Sequence, residues 1–301
     1  MRFVVTGGAG FIGSHLTKLL VNSGYSVDVV DNMHRGNLAN LREVINKIKL
    51  HQIDILDFAA IKELVKGTDG IFHQAALTSV IEPYAQKQRY FDVNVRGTEN
   101  IFKIANEYGI KVVYASSSSV YGNPHTTPIS EEFERNPINP YGITKLEDEL
   151  LAKKYSEIGT KIIGLRYFNV YGSGQNLDYA GVITKFYDNI MNNKSPVIFG
   201  DGMQVRDFVS VEDVAKANLL SMQSQFDFGF INIGTGIGTS IKELAKIMIS
   251  LSGKQLELIH GNLPEGDVKS SQADTAFARQ TISWQYVTPL SEGLKKFFFN
   301  S

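Results

Sequence analysis

The stretch MRFVVTGGAGFIGSHLTKLLVNSGYSVDVVD, residues 1–31, contains the pattern that decides the fold. Residues 3–6 form a short apolar, β-branched run that predicts a buried strand. Glycines follow this run directly, and a helical pattern and a second strand at residues 26–30 come next. A strand, a glycine turn, a helix and a strand within about 30 residues are typical of a dinucleotide-binding unit. The stretch therefore predicts an α/β fold that binds a dinucleotide.

Three glycines of the turn have separate physical roles. Gly7 permits the tight turn, and Gly10 lets a pyrophosphate approach the backbone amides at the helix N-terminus. Gly13 permits close packing of the helix on the strand. Their spacing, GxxGxxG, differs from the commoner GxGxxG and leaves the fold prediction intact.

Asp31, at the end of the second strand, indicates which dinucleotide binds. A carboxylate at this position accepts hydrogen bonds from the adenosine ribose and repels a ribose 2′-phosphate. Asp31 therefore favours NAD over NADP. Arg35 lies close enough in the sequence to pair with a 2′-phosphate, which keeps NADP as the alternative.

Strands and helices alternate along the first half of the chain. Strands are predicted at residues 3–6, 26–30, 49–53, 70–73, 111–115 and 161–165, with helices between them, notably at 84–108 and 141–158. This alternation predicts a Rossmann-type doubly wound parallel sheet with helices on both faces. The pattern changes after Arg166, which predicts a smaller C-terminal substrate-binding lobe. We expect residues 1–169 to form the NAD-binding domain, residues 203–232 to return to it, and residues 170–202 and 233–301 to form the second lobe.

The bulk composition excludes several classes of function. The chain has 30 basic and 31 acidic residues, so no basic field indicates nucleic-acid binding. It has no cysteine, which removes disulfides, thiol nucleophiles and cysteine-bound zinc. Its six histidines are scattered without metal-ligand spacing, so we expect no metal site. No leader or membrane-length apolar run is visible, and we expect a cytoplasmic protein that binds no membrane.

Tyr141 and Lys145 form the candidate catalytic pair. Residues four apart share one face of a helix, so the ammonium can stabilise the phenolate. A free phenol has a pKa near ~10, and a nearby cation lowers the pKa of an acid by about 1–3 units. Tyr141 is thus a candidate proton acceptor near neutral pH. Asn139 and Pro140 start its helix, and Ser116–Ser119 end the preceding strand at the same edge of the sheet. A tyrosine base and a serine hydroxyl beside a dinucleotide indicate hydride chemistry.

The chain resembles the extended short-chain dehydrogenases/reductases that modify nucleotide sugars, and is most similar to UDP-glucose or UDP-N-acetylglucosamine 4-epimerases. The similarity extends over essentially the whole chain. The matching motifs are TGGAGFIGSHL, DILD at 54–57, HQAA at 73–76, NVRGT at 94–98, SSSSVYG, YGITK, RYFNVYG at 166–172, GDG at 200–202, RDFVSVEDVA at 206–215 and GDV at 266–268.

The resemblance implies a role for each matching residue. Ser117, Tyr141 and Lys145 are implied to be catalytic, and Tyr141 to be the base. The implied NAD-binding residues are Gly7, Gly10, Phe11, Ile12, Gly13, Asp31, Asn32, Asp54, Ile55, Ala75, Asn94, Tyr141, Lys145 and Phe168. The implied substrate-binding residues are Ser117, Tyr141, Asn169, Val197, Phe199, Arg206, Asp267 and Ser271.

The residues after Ser117 discriminate among the reactions of this branch. The resemblance implies that dehydratases of this branch carry an Asp-Glu pair at these positions. The pair supplies the acid and the base that elimination needs. Here those positions are Ser118 and Ser119, and hydroxyls are poor bases. The resemblance therefore implies C4 epimerisation of a UDP-hexose through a transient 4-keto sugar, with no net redox change. The small Ser271 is implied to leave room for a 2-N-acetyl group.

One position departs from the family, and several alternatives stay open. The arginine that relatives place two residues before Gly-Asp is Pro264 here, so Arg206 and Lys269 are left to hold the diphosphate. The alternatives are a GDP- or dTDP-linked sugar, an NAD(P)-dependent reductase of a free carbonyl, and a non-catalytic nucleotide-binding scaffold. The helices at 92–106 and 141–158 match the pair that forms a four-helix dimer interface in relatives, which implies a homodimer.

Overall fold

The structure, a computed structural model, describes residues 1–78, 86–175, 181–262 and 268–299. A seven-stranded parallel sheet lies at its centre. Its strands are β1 (Arg2–Thr6), β2 (Ser26–Val30), β3 (Ile48–His51), β4 (Gly70–His73), β5 (Lys111–Ser117), β6 (Ile162–Tyr167) and β10 (Phe228–Ile233). Their order is β3-β2-β1-β4-β5-β6-β10, so the chain reverses direction across the sheet between β1 and β4.

Helices cover both faces of this sheet, which is why its strands are mostly apolar. On one face lie α1 (Phe11–Asn22) and α7 (Val211–Gln223), which contact each other. On the other lie α2 (Phe58–Leu64), α4 (Gly97–Tyr108) and α5 (Pro140–Ser156). In β1, Phe3 and Val5 pack into the first core and Val4 packs into the second. The predicted doubly wound parallel sheet is confirmed.

A smaller group of elements follows β6. Strands β7 (Asn169–Tyr171), β11 (Gly238–Ser240) and β13 (Ser270–Ser271) all pair with β9 (Val205–Ser210), and β8 (Val197–Phe199) pairs with β12 (Ile259–Gly261). Three helices share a separate core with these strands, namely α6 (Val182–Met191), α8 (Ile241–Ser252) and α10 (Leu290–Phe299). The helix α9 (Ala276–Ile282) packs into the first core of the large sheet instead. The expected division of the chain into lobes stays a prediction.

The expected helix at 84–108 is interrupted where the structure describes it. A short helix α3 (Lys87–Tyr90) leads into a π-helical turn, Phe91–Arg96, before α4 begins. The buried Asn94 lies in this turn and bonds out of the helix, donating to Leu77 O and to Thr144 Oγ1, both at 3.0 Å. π turns are frequent at functional sites. The π turn therefore links the loop after β4 to the helix that bears Tyr141.

Among the residues described, none of the helices combines the length and the apolar character that crossing a bilayer demands.

Candidate active site

A cavity of about 1180 Å³ lies at the carboxyl ends of the sheet strands. Residues that follow β1, β2, β3, β4, β5 and β6 line it, among them Gly7, Asp31, Asp54, Ala75 and Phe168. Ligands of open α/β sheets bind at this edge, where the strand order reverses. The fold therefore places this cavity across the point between β1 and β4.

The glycine turn leaves backbone open to this cavity. Gly7 has a φ of +67°, and a Cβ there would lie 2.7 Å from Ala75 N. A Cβ on Gly13 would lie 2.1 Å from Gly7 O, so only glycine fits. Gly10 begins α1 without a side-chain cap, which leaves the first amides of that helix available to an anion. This cradle fits the pyrophosphate of a dinucleotide.

Asp31 lies in the cavity wall and also supports the glycine turn. Its carboxylate accepts hydrogen bonds from Ala9 N at 3.0 Å and Met33 N at 2.9 Å. Burial raises the pKa of Asp31, and these two amides oppose the increase. Nearby, the amide of Asn32 donates to Asp54 Oδ2 at 2.8 Å. Both carboxylates therefore face the adenosine end of the cavity.

Tyr141 enters the cavity from the first turn of α5. Asn139 caps this helix by accepting a hydrogen bond from Gly142 N at 2.8 Å, and Pro140 occupies its first position. Ser117, at the end of β5, lines the same part of the cavity. Its hydroxyl donates to Ser119 Oγ at 3.1 Å and accepts from Ser119 N at 3.2 Å. The structure thus brings the phenol and the serine hydroxyl to one end of the cavity.

Lys145 lies one turn after Tyr141, with its side chain only 3% exposed. Its ammonium donates to Asp148 Oδ2 at 3.1 Å. Burial lowers the pKa of Lys145, but the neighbouring Asp148 and Tyr141 outweigh it and the net pKa is raised. The lysine is therefore charged at neutral pH. A cation beside the phenol is what a proton-accepting tyrosine needs.

Glu149 and Arg166 hold the strand end on which Ser117 lies. The guanidinium donates to both carboxylate oxygens, at 2.8 and 2.7 Å, and both side chains are buried. Arg166 also donates to Tyr121 Oη at 2.7 Å, and Ser116 donates to Glu149 Oε1 at 2.7 Å. This bidentate pair fixes α5 against β5 and β6.

The model of the NAD dependent epimerase/dehydratase family matches residues 3–234. The chain belongs to this family. The expected resemblance to the extended short-chain dehydrogenases/reductases is confirmed, and NAD is the cofactor of the family.

Relatives and solved structures of the family match this chain over nearly its whole length. A Methanocaldococcus jannaschii protein named "Putative UDP-glucose 4-epimerase" is 39% identical over 97% of this chain and 96% of that protein. The UDP-N-acetylglucosamine 4-epimerase of Methanobrevibacter ruminantium M1, in complex with UDP-N-acetylmuramic acid, superposes with a TM-score of 0.95, at 35% identity over 99% of this chain and 96% of that chain. The Thermotoga maritima UDP-glucose 4-epimerase with UDP-glucose has a TM-score of 0.93, at 35% identity over 98% and 96%.

Most of the predicted family site residues line the cavity. They are Gly7, Gly10, Phe11, Ile12, Gly13, Asp31, Asn32, Asp54, Ile55, Ala75, Ser117, Tyr141, Lys145, Phe168 and Asn169. Asn94 is fully buried behind the cavity, on Leu77 and Thr144. Four others lie in the second group of strands, outside the cavity lining: Val197, Phe199, Arg206 and Ser271. Asp267 and Pro264 lie outside the described residues.

The second group of strands still brings some of these residues together. Ser271 pairs in register with Arg206 between β13 and β9. Phe199, at the end of β8, is 49% exposed, and its carbonyl accepts from Gln204 Nε2 at 3.0 Å. An exposed aromatic ring is a surface on which a base can stack.

The structure also adds lining residues that the sequence analysis did not predict. Tyr167 Oη donates to Gln74 Oε1 at 3.1 Å, beside the catalytic end. Both residues belong to quoted family motifs, HQAA and RYFNVYG, which was the available signal. Arg89 and Lys185 also line the cavity, from α3 and α6. No pattern distinguished them from ordinary charged helix positions. Among the described residues, no cluster of three His, Cys, Asp or Glu side chains is arranged to hold a metal ion.

Proposed function

We propose that this protein is an NAD-dependent UDP-sugar 4-epimerase, which interconverts UDP-hexoses at C4 through a transient 4-keto sugar. The observation that carries the proposal is the composition of the catalytic end of the cavity. Tyr141, Lys145 and Ser117 meet there, and the positions after Ser117 carry hydroxyls. The carboxylates that line the described cavity are Asp31, Asp54 and Asp92, which follow β2 and β3 or lie on the π turn. Elimination needs a further acid and base beside the sugar in addition to the tyrosine, and epimerisation does not.

Each catalytic residue has a definite task in this reaction. NAD bound in the cavity would supply the hydride acceptor and donor for C4 of the sugar. Tyr141 accepts the C4 hydroxyl proton and donates it back, so one residue serves as both base and acid. Ser117 hydrogen-bonds the same oxygen, and Lys145 stabilises the phenolate. The glycine turn and Asp31 hold the cofactor from the other end of the cavity.

We assign the nucleotide and the sugar to the second group of strands. Phe199 is suited to stack on uracil, Arg206 and Lys269 to hold the diphosphate, and Asp267 to hold the uridine ribose. The small Ser271 beside Arg206 admits a 2-N-acetyl group, so UDP-GlcNAc is a substrate as well as UDP-glucose. Ser271→Tyr is expected to spare turnover of UDP-glucose and suppress that of UDP-GlcNAc. Equal loss on both sugars would contradict this assignment.

We further propose a homodimer formed through α5. Ile143 and Leu150 lie seven positions apart on this helix, so they share one face, and each is 48% exposed. Phe91 on the adjoining π turn is 40% exposed. The variant Ile143→Lys/Leu150→Lys is expected to sediment as a monomer, whereas Val287→Lys, at another exposed apolar site, keeps the wild-type mass. The cytoplasmic location stays a prediction.

The first experiment is incubation with UDP-glucose and UDP-GlcNAc separately, with products resolved by NMR and NADH followed by absorbance. We expect conversion to the 4-epimers without net NADH, and a Tyr141→Phe variant slower by about 10²–10⁴-fold. Stoichiometric NADH would instead identify a reductase. No conversion of either sugar, with cofactor bound, would indicate another nucleotide or a scaffold.

A further inference from the structure

Asp148 is a fully buried carboxylate that the proposed reaction does not use. It lies on α5, one turn after Lys145, and its side chain has no solvent exposure. Lys145 lines the cavity and Asp148 lies behind it, at 3.1 Å from the ammonium. The carboxylate is therefore in contact with the catalytic lysine from the side opposite the ligands.

Two other buried aspartates, Asp207 and Asp213, hold loops through backbone amides, and Asp148 differs from them. Asp207 accepts hydrogen bonds from the backbone amides of Thr235, Gly236 and Ala273. Asp213 likewise accepts from two loop amides near residue 287. The side chain of Asp148 contacts side chains instead, namely Lys145 and Thr98. Within the described residues it therefore holds no loop in place.

A buried lysine–aspartate pair is also a poor way to stabilise a fold. Burial raises the pKa of Asp148 to about 7, even though Lys145 and Thr98 oppose the increase. Replacing a buried ion pair by apolar residues is often neutral or stabilising. The pair is thus better explained by what it does to Lys145 than by stability.

A row of buried polar groups, His73, Thr6 and Thr98, lies next to Asp148. His73 contacts Thr6 Oγ1 through Nδ1 at 2.7 Å and Thr98 Oγ1 through Nε2 at 2.9 Å. Burial and the charge of Lys145 lower the pKa of His73 to about 3, so the ring is neutral. If Thr98 donates to Asp148, His73 must donate from Nε2 and accept from Thr6 at Nδ1. Every group then donates toward the carboxylate, which stabilises its charge.

The charge of Asp148 opposes that of Lys145, the cation that acts on Tyr141. An ammonium favours the phenolate, and a carboxylate beside the ammonium cancels part of its field. We propose that Asp148 is a positioning residue that holds the Lys145 ammonium and compensates its charge, and so sets the pH at which Tyr141 ionises. This inference rests on the proposed role of Tyr141 as proton acceptor.

The charged and titratable groups around the pair come from several elements. Lys145, Glu149 and Tyr141 lie on α5 itself, and the groups of other elements that act on the pair are His73 on β4, next to Lys145, and Tyr114 on β5, next to Asp148. Arg166 and Arg135 both pair with Glu149. Lys145 is therefore the cation in direct contact with Asp148, and removal of Asp148 leaves the ammonium without a carboxylate in contact among the residues described.

The test is a pH titration of tyrosine ionisation by NMR, with ¹³Cζ-labelled tyrosine in the NAD-saturated protein. The chain has 13 tyrosines, and the Tyr141→Phe variant assigns the signal of Tyr141 by its loss. In Asp148→Asn, which removes the charge and keeps the shape, we expect the Tyr141 midpoint to move to lower pH by about one unit. The acidic limb of kcat should move in the same direction.

Two further variants keep the result interpretable. Asp148→Glu keeps the charge and should keep a midpoint near the wild-type value. Glu147→Gln removes a half-buried charge one position earlier and should move the midpoint by less than about 0.3 pH unit, because water screens it. If Asp148→Asn does not fold, Asp148→Ser removes the same charge.

An unchanged midpoint, or a move to higher pH, in a folded Asp148→Asn or Asp148→Ser would overturn the proposal. The NMR measurement needs no sugar substrate. A protein that fails to epimerise either UDP-sugar but shows the downward shift would refute the proposed function alone.

Discussion

Two buried ion pairs have their carboxylates on adjacent residues of α5, and their cations differ in hydrogen bonds and in contacts. Glu149 and Arg166 form two hydrogen bonds, and the guanidinium lies within 5.0 Å of the ring centres of both Tyr121 and Phe230. Lys145 contributes one hydrogen bond, at 3.1 Å, to Asp148.

The difference follows from the chemistry of the two cations. A guanidinium is planar and its fork matches a carboxylate, so the Arg166 pair fixes both elements in one geometry. An ammonium is a compact charge on a flexible stem, and it can turn from Asp148 toward a ligand in the cavity. The Glu149–Arg166 pair therefore stabilises the fold. The Asp148–Lys145 pair keeps a movable charge beside the reacting groups.

The largest expected effect is on the rigid pair. Arg166→Met removes the bidentate partner of the buried Glu149 and leaves it Arg135 at 3.4 Å, so we expect the free energy of unfolding to fall by about 3–5 kcal/mol. Urea unfolding measures this change. The double variant Arg166→Met/Glu149→Leu removes both charges and should recover part of the loss. A single variant within about 1 kcal/mol of wild type would contradict the structural role.

The adjustable pair should show the opposite balance. Lys145→Met is expected to lower kcat by at least about 10²-fold, because the phenolate loses its cation. Its free energy of unfolding should fall by less than in Arg166→Met, since Asp148, with a pKa of about 7, can bind a proton. Kinetics and urea unfolding on the same preparations test both halves. Equal destabilisation by the two substitutions would remove the distinction.

The buried His73 near Asp148 predicts that the free energy of unfolding depends on pH. The pKa of His73 in the folded protein, about 3, lies below the unfolded value of 6.5, so the folded state binds fewer protons in between. Above pH 6.5 the free energy of unfolding is not reduced by His73. Below pH 6.5 it falls by about 1.4 kcal/mol per pH unit, or by about 2 kcal/mol at pH 5.

The check is the difference in slope between wild type and a variant over this window. His73→Asn should lose less stability than wild type between pH 6.5 and pH 5, and the exposed His125→Asn should lose as much. Parallel curves for all three proteins would show that His73 does not stay neutral.

The smallest effect is expected at an exposed ion pair on the surface. Lys161 and Asp227 lie 3.1 Å apart with side chains 55% and 53% exposed. Lys161→Met should change the free energy of unfolding by less than about 0.5 kcal/mol, because water and salt screen exposed charges. A change as large as that of Arg166→Met would mean that burial does not decide the value of these pairs.

Local sequence patterns predicted the sheet because its determinants are local. The run at 3–6, the glycine turn and the alternation of elements each depend on residues near one another in the chain. β10 was not predicted, since Gly229 weakens its strand pattern and its pairing with β6 is long-range. The π turn was also missed, because Asn94 bonds to Leu77 and Thr144, which come from other parts of the chain.

The site shows the same limit. Tyr141, Lys145 and Ser117 were predictable, because a four-residue spacing and a strand end are visible in the sequence. The contact of Lys145 with Asp148 was not, since a helix of charged residues has several carboxylates three or four positions from a lysine. Only the packing of α5 against α4 and the sheet determines which of them contacts the lysine.

The single tryptophan provides an optical consequence of the fold. Trp284 is 1% exposed, its indole Nε1 donates to Asp213 O at 3.0 Å, and it packs in the same core as Phe3 and Leu16. Although it lies near the end of the chain, its fluorescence therefore reports on the amino-terminal sheet. A red shift of its emission signals that the last elements have separated from the first strand. The emission maximum of Trp284 therefore reports whether the two ends of the chain are packed together.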